Sequence, residues 1–212
     1  MNMIKTMEIN IEQVDSFLAK YGYFNKCLNG CSDCCHDYFY ASVPEFFLTL
    51  HGLTTKPFNL DYFYKRALST RSYFMHYLPL EIEHLSYKAP SLLAYKVNDF
   101  RTGQYINYPD LPPCMFLVNG RCSIYDYRPN TCRKYGTTVT CEYLDNEDFE
   151  DDDFTQVHLQ PLYDNTALLD QSIETTPLPL WFFYSEYLKP ELRSFVFKQL
   201  EHYQINNIEK AA

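Results

Sequence analysis

Glycine is scarce in this sequence, with 6 residues in 212, and the glycine-rich segments that bind nucleotide phosphates are missing. There is no phosphate-binding loop and no glycine-rich dinucleotide turn, each of which needs closely spaced glycines to bring backbone N–H groups near a phosphate. A Gly-x-Ser-x-Gly segment, which presents the nucleophile of many serine hydrolases, is missing too. These absences exclude the nucleotide-binding and hydrolase classes that those segments define.

Long apolar runs are also missing. No stretch approaches the roughly 20 apolar residues that a helix needs to span a bilayer. Residues 1–17 include acidic and polar side chains where a secretory signal would have an apolar core. We therefore expect a cytoplasmic protein with no membrane partner, in a compartment where thiols stay reduced.

Basic residues are too few for a nucleic-acid partner. Lys and Arg total 18 against 27 Asp and Glu, for a net charge of −9. The run 145–153 holds seven of the carboxylates and is predicted to be a solvated loop, while the remaining chain is nearly neutral. Because the chain has no basic stripe of the kind that a phosphate backbone requires, we expect no nucleic-acid partner.

Apolar residues make up 46% of the chain and aromatic residues 17%, a composition typical of folded globular proteins. We predict one α+β domain over residues 1–212, mainly helical, with a short β-hairpin and a cysteine-rich metal site. Within it, two motif halves at 27–36 and 113–141 are separated by a helical insertion, 37–112. An acidic loop and a C-terminal helical extension follow over 142–212.

Helices are predicted over 7–21, from a capping box at Ser42 and Glu45 to Gly52, and from 59 or 61 to 78. A closing helix is predicted from Pro190. The apolar residues expected to face the core are Ile9, Ile11, Val14, Phe17 and Leu18 in the first helix and Leu192, Phe195, Phe197 and Leu200 in the last.

A hairpin is predicted between the arms 112–117 and 122–125. Asn119-Gly120 indicates its turn, because Asn-Gly favours the turn types that join paired strands. Pro129 then favours the start of a short helix that carries Cys132 and Arg133.

Eight cysteines form two groups, four of them within nine residues in the spacing C-x3-C-x2-C-C. The full set is Cys27, Cys31, Cys34, Cys35, Cys114, Cys122, Cys132 and Cys141. Thiolates are preferred ligands of zinc and of iron–sulfur clusters, because soft sulfur matches soft or borderline metals. A metal site is therefore the leading interpretation, and four disulfides are disfavoured because no export signal is evident.

The ligand count leaves two arrangements open: two four-thiolate sites, or one cluster with four thiols in other roles. Adjacent residues of an extended segment point to opposite faces, so Cys34 and Cys35 serve two sites or bridge a binuclear one. His36 is an alternative ligand. Radical enzymes that use S-adenosylmethionine share the spacing C-x3-C-x2-C, but Asp33 stands where they usually have an aromatic residue. Clustered thiols also disfavour a lone cysteine nucleophile.

Three segments resemble the bacterial YkgJ-type cysteine-cluster family, described as a zinc- or iron-chelating domain. They are the cysteine run 27–35, the segment PCMFL at 113–117, and CSIYDYRPNTCR at 122–133. The resemblance implies that seven of the cysteines are metal ligands, whereas the eighth, Cys141, matches the family pattern less clearly. It also implies that zinc or an iron–sulfur cluster is the cofactor. The family also includes a flagellin lysine methylase with an iron–sulfur cluster. This implies an alternative function, redox or methyl-group transfer on a [4Fe–4S] cluster, although no methyl-donor region is recognisable here.

Two arginines inside the last motif, Arg128 and Arg133, are candidates for contacts with the cofactor. A zinc ion or an oxidised four-iron cluster with four thiolates carries a net charge of about −2. Because a buried anion of this kind needs nearby donors and cations, we expect these two side chains to approach the sulfurs.

If the two cysteine groups build one composite site, Cys31→Ala or Cys122→Ala should yield insoluble or metal-free protein, because metal binding would contribute to folding. Solubility and metal content of the purified variants test this. Soluble, fully loaded protein from both variants would contradict the composite site.

Overall fold

Over the residues that the structure describes, the fold consists mainly of α-helices, together with two short antiparallel strand pairs, and this agrees with the predicted α+β class. The computed structural model describes residues 2–20, 35, 40–77, 79, 82, 112–134 and 178–204. The helices are α1 Met3–Lys20, α2 Val43–Thr54, α3 Leu60–Tyr77, α4 Asn130–Lys134, α5 Leu180–Tyr187 and α6 Pro190–Gln204. The strands are β1 Tyr40–Ala41, β2 Leu117–Val118, β3 Arg121–Cys122 and β4 Leu178–Pro179, and a 3₁₀ turn covers Tyr125–Tyr127. The predicted acidic loop lies outside the described residues.

The capping box predicted at the start of α2 is confirmed. The Ser42 hydroxyl accepts a hydrogen bond from the N–H of Glu45, and Glu45 Oε2 accepts one from the N–H of Ser42 at 2.8 Å. Two backbone donors that have no partner inside the helix are thereby satisfied. Both side chains are buried, so this helix start belongs to the interior of the fold.

The predicted end of α2 at Gly52 is wrong, since the helix continues to Thr54. Gly52 is buried inside the helix, and the ring of Tyr127 lies directly on its backbone. A Cβ at this position would stand 2.5 Å from Tyr127 Cδ2. A glycine in a helix interior costs roughly 1 kcal/mol relative to alanine, and here it allows close packing that any side chain would prevent.

The centre of the core is α5, in which every residue is buried. The strands β1 and β4 pair with Tyr40 opposite Pro179 and Ala41 opposite Leu178, so α2 and α5 start beside each other. Phe183 of α5 stacks on Phe46 of α2 with ring centroids 5.1 Å apart. On α3, Phe74 stacks on Trp181 at 5.4 Å. The segment α5 is thus a core helix in contact with both α2 and α3.

The buried faces of the first and last helices differ in part from the prediction. Ile9 is 42% exposed, and the buried face of α1 includes residues before the predicted start at residue 7. That face consists of Met3, Ile4, Met7, Asn10, Ile11, Val14 and Leu18. In α6, Val196 and Leu200 are buried while Phe195 is 54% exposed. The helix itself begins at Pro190, as predicted.

The hairpin around Asn119-Gly120 is confirmed, with strands of two residues each. Both turn residues have positive φ, 51° and 70°, as the type I′ turn of a two-residue hairpin requires. Leu117 pairs with Cys122 and Val118 with Arg121. Among the helices that the structure describes, none is long and apolar enough to cross a membrane.

We predict that Gly52→Ala lowers the free energy of unfolding by about 1–3 kcal/mol, because the new methyl group overlaps Tyr127 in a packed interior. Chemical denaturation measures the change. Gly120→Ala measures a different effect, the cost of a positive φ of roughly 1–2 kcal/mol, since a Cβ there meets nothing within 4 Å. If the overlap is the cause, Gly52→Ala should cost much less in a Tyr127→Ala background. An equal cost in both backgrounds would contradict it.

Candidate metal centre

Four of the eight predicted cysteine ligands lie among the described residues. Cys35, Cys114, Cys122 and Cys132 are half-buried and carry thiols rather than disulfides. The other four predicted ligands, Cys27, Cys31, Cys34 and Cys141, lie outside the described residues, as does His36. The contacts that the structure describes therefore concern these four cysteines and the residues that support them.

Among the described residues, a backbone contact joins one cysteine of the first group to one of the second. The N–H of Cys114 donates to the carbonyl oxygen of Cys35 at 2.5 Å. The last cysteine of the first group is thus adjacent to the first cysteine of the second group, although the helices α2 and α3 lie between them in the chain.

Three cysteines of the second group, Cys114, Cys122 and Cys132, lie in a short irregular unit, 112–134. Cys114 begins a turn, in which its carbonyl oxygen accepts from the N–H of Leu117 at 2.9 Å. Leu117 then pairs with Cys122 across the hairpin. Both Cys114 and Cys122 pack against the apolar core, whereas Cys132 lies on α4. Two thiols of the unit therefore border the interior.

Arg66 of α3 holds the Cys114 turn, and sequence reasoning missed this role. Its guanidinium donates to the carbonyl oxygens of Leu117 at 2.6 Å and of Cys114 at 3.2 Å. It also donates to the Tyr62 hydroxyl at 3.0 Å, one helical turn away. The only signal in the sequence is an arginine within the ring-rich stripe of this helix, which by itself indicates no target.

Arg133, a predicted cofactor contact, supports the motif from inside. Only 3% of its surface is exposed, and its guanidinium donates to the carbonyl oxygens of Asp126 and Arg128 and to the Asp15 carboxylate. Burial lowers the pKa of Arg133, an effect that the negative charges of Asp15 and Cys132 oppose. Arg133, the residue after Cys132, thus binds the backbone of its own motif.

Arg128, the second predicted cofactor contact, is placed differently. Its guanidinium lies over the ring of Tyr125, 3.8 Å from the centroid, and donates to the Tyr125 carbonyl oxygen at 3.0 Å. Tyr125 is one of the exposed aromatic residues. These contacts put Arg128 and Tyr125 together at the surface of the 3₁₀ turn.

Glu45 connects α4 to the start of α2. Its Oε1 accepts from the N–H of Asn130, the first residue of α4, at 3.0 Å. The Asn130 side chain donates in turn to Asn10 of α1 at 2.9 Å. Burial raises the pKa of Glu45, although hydrogen bonds from Ser42 and Asn130 and the charge of Arg133 oppose the shift. One buried carboxyl therefore serves two helix starts and sets where Cys132 lies.

Tyr184 of α5 lies on the apolar side of Cys114. Its fully buried hydroxyl is 3.0 Å from Thr49 Oγ1, whose own proton goes to the Phe46 carbonyl oxygen, so the phenol is the donor. Burial raises the pKa of Tyr184 far above its usual range, and the charge of Cys114 adds to the rise. Tyr184 is therefore a neutral phenol near this thiol.

Within the described ranges, no group of three or more His, Cys, Asp or Glu side chains is arranged to hold a metal ion. No known protein-family model matches the chain, and the searches of curated proteins and of solved structures also returned no match.

Glu45 should make the stability of the fold depend on pH. Because the pKa of Glu45 is higher in the folded than in the unfolded state, its stabilising contribution is complete below the ordinary value of 4.5 and is lost as pH rises through the folded value. Glu45→Gln should remove this decline and cost about 1–3 kcal/mol at low pH, since an amide nitrogen would face the N–H of Ser42.

The free energy of unfolding in urea, measured for the wild-type protein and for Glu45→Gln from below the ordinary pKa of 4.5 upward, tests the expectation. Glu12→Gln on the exposed face of α1 is the matched control. Parallel pH profiles for the wild-type protein and Glu45→Gln would contradict the role of this carboxyl.

Proposed function

We propose that this protein is a metal-binding protein of the YkgJ type, in which clustered cysteine thiolates hold zinc or an iron–sulfur cluster. Both cysteine groups contribute ligands: Cys27, Cys31, Cys34 and Cys35 from the first, and Cys114, Cys122, Cys132 and Cys141 from the second. The metal then connects two segments that are distant in sequence, and its binding energy becomes part of the folding energy.

The observation that carries this proposal is the hydrogen bond from the N–H of Cys114 to the carbonyl oxygen of Cys35. A composite site needs its two ligand groups in contact, and this bond joins their nearest ends. The described cysteines are also half-buried, so that each is accessible to a metal ion and partly shielded from water.

The surroundings of these thiols suit an anionic centre. Several thiolates around one ion or cluster carry a net negative charge, which needs hydrogen-bond donors and cations nearby. Arg133 directly follows Cys132 and is buried within the motif, and Arg66 donates to the carbonyl oxygen of Cys114. The bound metal would supply structural cross-linking as zinc, or electron transfer as an iron–sulfur cluster.

The cytoplasm is the compartment that fits this function, because its reducing conditions keep cysteines available as ligands. The metal ion or cluster is the partner that we propose, and no nucleic acid takes part.

Metal analysis of protein purified without oxygen tests the proposal. We expect either colourless protein with about one or two zinc ions per chain or brown protein with iron and matching acid-labile sulfide. Elemental analysis, sulfide determination and the visible spectrum measure these outcomes. The second result would favour the iron–sulfur function and with it redox or methyl-group transfer.

Cys122→Ala and Ser123→Ala form a matched pair of variants for this measurement. Both residues lie in the same part of the hairpin and are half-buried, but only Cys122 is a proposed ligand. Metal should be lost from the cysteine variant and kept by the serine variant. Wild-type protein that carries no metal and takes up neither zinc nor iron with sulfide would overturn the proposal.

A further inference from the structure

We infer that Arg66 is a positioning residue for the cysteine centre: its guanidinium, projecting from α3, fixes the backbone on which Cys114 is presented. This inference rests on the proposed function, because it assigns a role toward the same centre. It also changes the interpretation of residues 37–112, which the sequence indicated only as a helical insertion between the motif halves.

The contacts of the Cys114 backbone show why this position is well defined. Its N–H donates to Cys35, and its carbonyl oxygen accepts from both Leu117 and Arg66. The same guanidinium donates to the Leu117 carbonyl oxygen at 2.6 Å, so it spans both ends of the Cys114–Leu117 turn. Without Arg66, the turn would keep only one hydrogen bond between its own ends, from Leu117 to Cys114.

The chemistry of the guanidinium suits this task. Its donors form a rigid planar fork that can bind two carbonyl oxygens at once, whereas the ammonium of lysine is a compact group without such a fork. The Arg66 nitrogen that donates to the Leu117 carbonyl oxygen, Nη1, also donates to the Tyr62 hydroxyl at 3.0 Å. The guanidinium carbon is 5.6 Å from the centre of the Tyr62 ring. Tyr62 thus helps to orient the fork toward the turn.

Arg66 also places a permanent positive charge beside the backbone of Cys114. An arginine stays charged throughout the physiological pH range, so this charge is present whether or not a metal is bound. Thiolates bound to a metal leave a net negative charge, which a nearby cation stabilises. Arg66 therefore favours the loaded state both by geometry and by charge.

Arg193 provides a matched control on another part of the fold. It donates to the Leu188 carbonyl oxygen at 2.7 Å, pairs with Asp61 at 2.6 Å, and lies 5.3 Å from the centre of the Tyr64 ring. Arg193 thus combines a backbone carbonyl and a tyrosine ring as Arg66 does, but its partners are α3 and the residues after α5. An Arg193 variant has a similar structural defect without touching a cysteine segment.

The experiment compares Arg66→Ala, Arg66→Lys and Arg193→Ala with the wild-type protein. Amide hydrogen exchange of Cys114 and Leu117 in the protein as purified reports the order of the turn. The rate at which a chromophoric chelator removes zinc from protein loaded with Zn²⁺ alone reports the centre. Thermal unfolding of each variant reports the general loss of stability.

In Arg66→Ala we expect exchange at both amides and zinc release to be about tenfold faster, as the loss of a hydrogen bond to a charged donor implies. Arg66→Lys should restore part of the zinc retention through its charge but little of the amide protection. Arg193→Ala should lower the unfolding temperature, while its amide exchange at Cys114 and Leu117 and its zinc release stay at wild-type rates.

The role of Arg66 would be overturned if Arg66→Ala exchanged its Cys114 and Leu117 amides and released zinc at wild-type rates. It would also be overturned if Arg193→Ala accelerated both processes as much as Arg66→Ala does. Either result, with a wild-type protein that binds zinc, leaves the proposed function intact. A wild-type protein that takes up neither zinc nor iron with sulfide removes the proposed function and the role of Arg66 together. If Arg66→Ala fails to fold, Arg66→Lys carries the same comparison through its amide exchange.

Discussion

The segment that carries three of the described cysteines cannot hold its own shape. Residues 112–134 contain strands of two residues and a helix of five, and elements this short are not stable in water alone. Their order has to come from neighbouring helices. Arg66 of α3, Glu45 of α2 and Asp15 of α1 supply this order through hydrogen bonds. Gly52 of α2 contributes by packing, because the ring of Tyr127 lies on its backbone. The position of every described thiol in this unit depends on these contacts.

Most of these supports bind backbone rather than sulfur. Arg66 and Arg133 each donate to two carbonyl oxygens, and Glu45 accepts from the N–H of Asn130. These contacts fix the backbone around the cysteines and do not involve the sulfur atoms. This arrangement suits a metal centre, because the geometry of a thiolate site depends on where the chain presents each sulfur. The cost is burial of charge, which Asp15 offsets for Arg133.

Local signals in the sequence predict a structural feature correctly where one short stretch contains all the residues that cause it. The capping box needs only Ser42 and Glu45, and the hairpin turn needs only Asn119-Gly120, so both were predictable. Burial was harder to predict. Phe195 and Ile9 are apolar residues on amphipathic helices, yet both are exposed, because the buried side of a helix is set by its neighbours in space.

The cysteine spacing and the motif CSIYDYRPNTCR sufficed to propose a thiolate metal centre, because ligand chemistry is a property of the residues themselves. Tertiary structure alone decided what surrounds the described thiols. From the sequence, Gly52 is predicted to end a helix, but in the structure it lies inside the helix with Tyr127 packed on its backbone. Glu45 is predicted to cap one helix, but it also accepts a hydrogen bond from Asn130 at the start of a second one. Arg66 has no local signal at all, since its targets lie some 50 residues away in the chain. Contacts between distant residues follow from packing, which no local pattern contains.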